Sequence, residues 1–95
     1  MQKATACFRT KHGRKYLVQL CKHFAHRVEV EYTPERGRCV LSPGQADMVA
    51  NDDGITFVVS AEDDAGLARA KDIVTQHLVR FAYRENLREL SWSAA

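Results

Sequence analysis

The chain is 95 residues long, with 45% hydrophobic residues, 27% charged residues and a formal net charge of +2, which predicts one small globular domain over residues 1–95. No apolar run approaches the ~20 residues of a membrane-spanning helix, and the N-terminal stretch lacks the apolar core of a secretory signal. The three cysteines, Cys7, Cys21 and Cys39, form no closely spaced pair, so we predict reduced thiols, no disulfide framework and a cytoplasmic location.

The first two elements have different hydrophobic periods. In the stretch KATACFRT, Ala4, Ala6 and Phe8 alternate with more polar residues, which predicts a strand with one buried face. A turn over residues 10–13 leads to a predicted helix that runs to about Arg27. Its apolar stripe follows the helical period and comprises Leu17, Leu20, Cys21 and Phe24.

The middle of the chain has the pattern of short strands joined by turns. VEVEYTP alternates and ends at Pro34, and PERGR then turns the chain into CVLS. SPGQ is a further turn, followed by a weak strand signal in ADMVA. NDDG is the clearest hairpin signal, because Asp-Gly supplies the positive φ of a tight turn, and ITFVVS follows it as a strand.

A second amphipathic helix follows these strands, over residues 65–86. Ser60 with Asp63 resembles a capping box at its start, and its predicted buried stripe comprises Leu67, Ala70, Val74, Leu78 and Phe81. LRELSWSAA can add a short last strand that packs Trp92. The order β-α-β-β-β-α(-β) predicts an α+β fold, a two-layer sandwich in which an antiparallel sheet carries two helices on one face.

The charges are distributed unevenly along the chain. Residues 1–28 carry seven Lys or Arg and no acid, whereas residues 29–66 carry nine Asp or Glu against two Arg. With a net charge near zero, this favours neutralisation between neighbouring segments, in the fold or in a dimer, over a polyanion-binding face. Since the aromatic residues of the first helix are placed near the core, the pattern also argues against nucleic-acid binding.

The histidines could form a metal site. His23 and His26 are three residues apart on the predicted helix, so both could bind one ion, but they supply only two ligands. His12 lies too far along the helix axis to join them, and His77 could approach His23 but not His26. The alternative, which the ligand count favours, is a solvated His26, a His23 at a packing edge and a hydrogen-bonded His77.

Other candidate groups have structural explanations. Arg80 and Arg84, one turn apart, either stabilise the end of the second helix or form a fork for a carboxylate or phosphate. Cys21 is predicted in the core and Cys7 at the surface. Cys21 and His23 point in different directions on a helix, and no second catalytic group is placed beside a histidine, so the pattern favours a protein that is not an enzyme.

Two stretches, YLVQLCKHFAHRVEVEY and HLVRFAYREN, resemble a family of small bacterial proteins known as domain of unknown function 2218. The resemblance extends from the first strand to Trp92. The family has no established activity, but related domains occur beside siderophore-interacting, flavin-dependent ferric reductase modules, which implies iron acquisition as a context. The family pattern also falls on His23, His26 and His77.

We therefore expect a binding or accessory domain for a small anionic or metal-containing ligand, without a membrane partner and with no cofactor that the sequence can name. The candidate ligand-binding residues are Lys22, His23, His26, His77, Arg80 and Arg84, and the metal hypothesis rests on His23 and His26. The alternative is a protein-interaction module or a homodimer, in which the basic first helix meets an acidic surface.

Overall fold

The computed structural model describes all residues, 1–95, as six strands, two α-helices and one short 3₁₀ helix. The strands are β1 (Gln2–Arg9), β2 (Val30–Tyr32), β3 (Arg36–Val40), β4 (Gly44–Asn51), β5 (Gly54–Ala61) and β6 (Ser93–Ala94). The α-helices are α1 (Gly13–Phe24) and α2 (Asp64–Phe81), and the 3₁₀ helix is Tyr83–Glu85.

The strands form one antiparallel sheet in the order β2-β3-β4-β5-β1-β6. At its centre β4 and β5 form the hairpin that NDDG predicted, with Asn51 opposite Gly54. The side-chain oxygen of Asn51 accepts hydrogen bonds from the backbone N–H groups of Asp53 and Gly54 at 2.8 and 3.1 Å. These two donors of the tight turn are therefore paired. The last strand, β6, pairs with β1 and so fixes the C-terminal segment to the first strand.

Both helices cover the same face of this sheet. The strand residues on that face are buried and apolar, among them Ala46, Met48, Ile55, Phe57 and Val59. Helix residues at helical spacing complete the core, including Leu17, Leu20, Val74 and Leu78. The predicted two-layer α+β sandwich is confirmed. Neither α-helix combines the length and the apolar character that crossing a bilayer requires.

The boundaries of several elements differ from the predicted ones. Between the helices there are four strands where the predicted order counts three, because Arg36–Val40 pairs along its whole length with β4 and through residues 37–39 with β2. Helix α1 ends at Phe24 rather than near Arg27, since residues 25–28 form turns that bond back to the last helical turn. The predicted Ser60 capping box is wrong: Ser60 still belongs to β5, and Asp63 caps α2 by accepting the Gly66 N–H at 2.7 Å.

The start of α1 lies directly on the β4–β5 hairpin. A Cβ atom at Gly13 would collide with the carbonyl oxygen of Gly54, so only glycine allows this approach. Arg14 reinforces it, because Nη1 contacts Asp52 at 2.5 Å and Nε contacts Glu35 at 3.3 Å. Some of the positive charge of residues 1–28 is thus neutralised within the fold by acidic side chains of residues 29–66.

The three cysteines remain free thiols. Cys21 on α1 and Cys39 on β3 are both fully buried. A hydrogen bond between the two thiols, together with burial, raises the pKa of Cys39. Cys7 is exposed on the open face of the sheet, as the alternation of β1 predicted.

Candidate functional site

A pocket of about 530 Å³ opens between the end of α1, the turn after β3 and the second half of α2. Its apolar lining residues are Phe24, Val28, Leu41 and Ile73. Its polar lining residues are His23, Arg27, Ser42, His77 and Arg80. The pocket therefore combines apolar walls with two permanent positive charges and two imidazoles, and no acidic side chain lines it.

The end of α1 supplies one wall. Phe24, the last helical residue, is buried, and the turn after it is held by N–H groups of Arg27 and Val28 that both donate to the carbonyl oxygen of Phe24, at 3.0 and 2.9 Å. This turn brings Arg27 to the pocket beside His23.

Helix α2 supplies the opposite wall through Ile73, His77 and Arg80, which share one side of the helix because they are four and three residues apart. Val74 and Leu78, fully buried, anchor α2 on the sheet. Nδ1 of His77 lies 2.6 Å from the carbonyl oxygen of Ile73. A carbonyl oxygen only accepts, so in neutral His77 the proton is on Nδ1 and Nε2 is left as the acceptor.

The two helices meet at the pocket through aromatic rings. The ring centroids of His23 and His77 are 4.8 Å apart, and Phe24 lies 5.0 Å from His77. Phe81 packs edge-on against His23 at 5.9 Å. Partial desolvation of the His23 ring, followed by the positive charges of His77 and Arg80, lowers the pKa of His23, so its neutral form is favoured.

Three of the six predicted ligand-binding residues lie together here, namely His23, His77 and Arg80. Lys22 on α1 and His26 in the turn after it are exposed and do not line the pocket. Arg84 lies in the 3₁₀ helix, where its Nε donates to the Tyr83 hydroxyl at 3.1 Å and its guanidinium stacks on the Tyr83 ring.

The six predicted ligand-binding residues do not include Arg27 and Ser42, which both line the pocket. Arg27 is four residues after His23, a spacing that could have placed it on the same side of α1. Ser42 and the neighbouring Leu41 come from the β3–β4 turn, and no local pattern links that turn to the helices.

The histidines do not form a complete metal site by themselves. No group of three or more His, Cys, Asp or Glu residues lies close enough to hold a metal ion. His23 has His77 as its nearest imidazole in the pocket, and His26 lies outside the pocket. A metal ion at His23 would therefore need most of its ligands from a bound small molecule.

Two other polar clusters of the protein contain internal pairs. Glu85 accepts hydrogen bonds from the hydroxyls of Tyr16 and Thr10. A depression on the open face of the sheet holds Arg38, whose Nε bonds to Asp47 at 2.9 Å. Since Glu85 and Arg38 already have partners, whereas the pocket between α1 and α2 has cationic side chains and no acidic one, that pocket is the stronger candidate for an anionic ligand.

Comparisons with known proteins agree with the predicted resemblance. A family model described as an uncharacterized protein conserved in bacteria (DUF2218) matches residues 5–93. The fold is similar to the NMR structure of PA4090 from Pseudomonas aeruginosa, with a TM-score of 0.82 and 34% sequence identity over 98% of this chain and 96% of that chain. No curated protein matches the chain. The chain belongs to the DUF2218 family of uncharacterized proteins conserved in bacteria.

Proposed function

We propose that this protein is a binding or accessory domain that holds a small organic anion, with an apolar body and a negatively charged head, in the pocket between α1 and α2. The observation that carries the proposal is the composition of that pocket: Arg27, Arg80, His23 and His77 surround apolar walls, with no carboxylate among the lining residues.

The two arginines are available for a ligand. The ion pairs of the protein involve Arg14 and Arg38 only, so Arg27 and Arg80 have no acidic partner. A guanidinium group offers several N–H donors in a planar fork that matches carboxylate, sulfonate or phosphate oxygens. Unpaired arginines on both sides of one pocket thus favour an anionic head group.

The apolar walls favour a ligand with a hydrophobic body. Phe24 and Leu41 are buried, while Val28 and Ile73 are partly exposed within the pocket. A volume of about 530 Å³ is in the range of small-molecule sites. An aromatic or branched aliphatic acid could place its carbon skeleton on these side chains and its charge at the arginines.

A metal-containing anion is the narrower form of this proposal. The resemblance described above implies iron acquisition as a context, and two imidazoles whose rings are 4.8 Å apart could complete the coordination of an incoming complex. Because the protein offers no set of three ligands, the small molecule would have to supply most of the donor atoms. We further place this activity in the cytoplasm, where free thiols such as Cys7 persist.

The test is an NMR titration of the protein with benzenesulfonate, using benzyl alcohol as the neutral probe. We expect saturable shifts of backbone signals at residues 23–28, 41–42 and 73–80 with the anion and much weaker effects with the alcohol. Arg80→Gln should reduce the affinity by roughly tenfold or more, since hydrogen bonds to charged groups contribute about 1.5–3 kcal/mol. Arg88→Gln, at an exposed residue outside the pocket, should leave the affinity unchanged.

Equal responses to both probes, or equal losses in the two arginine variants, would contradict the proposal. Separate titrations with ferric citrate and with citrate test whether the ligand is a metal-containing anion. Tighter binding of the ferric complex, lost in His23→Gln, would support a metal-containing ligand, and equal binding of the two would exclude it.

A second candidate function, the protein-interaction module or homodimer, is favoured by the outer side of α1. Lys15 and Lys22 are exposed there, seven residues apart, and neither has an acidic partner. An acidic surface of another chain could neutralise them. Sedimentation at low and high salt tests this: a dimer that dissociates as salt increases, and that a Lys15→Glu, Lys22→Glu variant cannot form, is the expected result.

A further inference from the structure

We propose that the pocket between α1 and α2 takes an organic dianion whose two negatively charged groups lie at opposite ends of an apolar spacer, one group at Arg27 and the other at Arg80. This inference rests on the proposed function, because it requires that the pocket binds anions. It goes further by assigning a second charged group to the ligand and a separate arginine to each group.

Two contacts fix the register of the helices against each other. The hydroxyl of Tyr16, near the start of α1, donates to Glu85, just after the end of α2. At the other end of α1, the ring of His23 lies 4.8 Å from that of His77, which is inside α2. The two helices are therefore antiparallel, and the turn that follows α1 lies near the residues of α2 that precede His77.

This register places the two arginines at different ends of the pocket. Arg27 belongs to the turn after α1, so it lies toward Ile73. Arg80 lies on α2 beyond His77, on the side away from Ile73. Ile73 and Arg80 are seven residues apart, which is about 10 Å along a helix axis. The two guanidinium groups are thus carried by backbone positions roughly two helical turns apart, with the ring of His77 between them.

The pocket between the two arginines suits an uncharged spacer. Its apolar lining residues are Phe24, Val28, Leu41 and Ile73, and no acidic side chain lines it. Neither arginine has an ion-pair partner in the protein. A ligand with one charged group pairs with one guanidinium and leaves the other facing the apolar part of the ligand. A second anionic group at the far end of the ligand matches that guanidinium too.

The experiment is calorimetric titration with three ring compounds. Benzene-1,4-disulfonate has its two groups at opposite ends of the ring, benzene-1,2-disulfonate has the same charge at adjacent positions, and benzenesulfonate has one group. A fixed salt concentration keeps the screening of charge equal for all three. Arg27→Gln and Arg80→Gln each remove one guanidinium group. Arg88→Gln, at an exposed residue outside the pocket, is the matched control.

We expect benzene-1,4-disulfonate to bind at least roughly tenfold more tightly than either of the other two compounds. Only this isomer can make charged hydrogen bonds at both ends of the pocket, and one such interaction is strong enough for a difference of that size. The preference for the 1,4 isomer should disappear in Arg27→Gln and in Arg80→Gln, because each variant leaves one guanidinium group. It should remain in Arg88→Gln.

Equal affinities for benzene-1,4-disulfonate and benzenesulfonate, both reduced in Arg80→Gln, would overturn this inference and leave the proposed function standing. Equal affinities for the two disulfonates would mean that total charge decides the binding, which would overturn the two-ended arrangement. A preference for the 1,4 isomer that persists in Arg27→Gln would overturn the assignment of one group to Arg27. Failure of all three compounds to bind would overturn the proposed function and the inference together.

Discussion

The hydroxyl of Tyr16 on α1 donates a hydrogen bond to Oε2 of Glu85, in the 3₁₀ helix that follows α2. The hydroxyl of Thr10, at the end of β1, reaches both oxygens of the same carboxylate, at 2.8 and 2.9 Å. One carboxylate therefore connects the first strand, the first helix and the end of the second helix. Burial of the phenol, its hydrogen bond to Glu85 and the negative charge of Glu85 together raise the pKa of Tyr16 to about 12.

This raised pKa predicts a loss of stability at alkaline pH. An unfolded tyrosine loses its proton near pH 10, whereas the native protein keeps the proton on Tyr16 up to about pH 12. The contribution is complete below pH 10 and disappears as the pH rises from about 10 to about 12. Denaturant unfolding across this range should show a steeper decline in the free energy of unfolding for the wild type than for Tyr16→Phe.

Tyr83→Phe is the control for this measurement, because Tyr83 is 64% exposed. Its free energy of unfolding should decline as steeply as that of the wild type. Identical pH profiles for Tyr16→Phe and the wild type would show that the Tyr16–Glu85 bond does not stabilise the native state. A double-mutant cycle of Tyr16→Phe with Glu85→Gln should give a coupling energy of at least about 0.5 kcal/mol.

The thiols should differ sharply in reactivity. A thiol reagent should modify one cysteine in the native protein, because Cys7 is exposed while Cys21 and Cys39 are fully buried. All three should react after unfolding in denaturant. Mass spectrometry of the labelled protein identifies the modified residue, and a Cys7→Ser variant should show no rapid labelling. Fast native labelling of Cys21 or Cys39 would mean that α1 separates readily from β3.

The sequence predicts the helix faces well because each face is a local periodic pattern. Leu20 and Phe24 on α1, and Val74 and Leu78 on α2, are buried as predicted, and two one-sided helices with one-sided strands leave few arrangements other than a two-layer sandwich. Helix ends are less predictable. The stop at Phe24 depends on turn hydrogen bonds in residues 25–28, which leave no trace in the hydrophobic period.

The candidate site is only partly predictable for a related reason. His77 and Arg80 share a helical side, so their association follows from spacing, and their approach to His23 follows from helices packed side by side. Ser42 lies on a turn whose position depends on the whole sheet. The Tyr16–Glu85 bond joins residues 69 apart in sequence. Such pairs are set by the tertiary fold, which a local pattern does not contain.

The contact between the hairpin and β1 makes Gly54 sensitive to substitution. A Cβ atom at this position would collide with the carbonyl oxygen of Phe8. The backbone atoms of a paired strand cannot move aside as the end of a flexible side chain can. Gly54→Ala should therefore lower the free energy of unfolding by about 2 kcal/mol. Asp53→Ala, an exposed residue of the same turn, is the matched control and should change it by less than about 0.5 kcal/mol. Similar values for both variants would refute the steric argument.

The residue that caps the N-terminus of α2 is Asp63, whereas the predicted capping box began at Ser60. Asp63 has extended backbone angles and its side chain accepts the Gly66 N–H at 2.7 Å, whereas Ser60 is still part of β5. Asp63→Ala should therefore cost about 1 kcal/mol of stability, because an N–H group of the first turn loses its acceptor.

Asp64→Ala is the matched control for Asp63. It removes an equal charge from the adjacent position but no cap, so it should cost only about 0.3–0.5 kcal/mol, through the interaction of that charge with the helix dipole. In high salt the cost of Asp64→Ala should approach zero, since screening weakens the dipole interaction, whereas Asp63→Ala should still cost the part that comes from the lost hydrogen bond. Equal costs in the two variants, both removed by salt, would mean that Asp63 acts through its charge and that α2 begins without a side-chain cap.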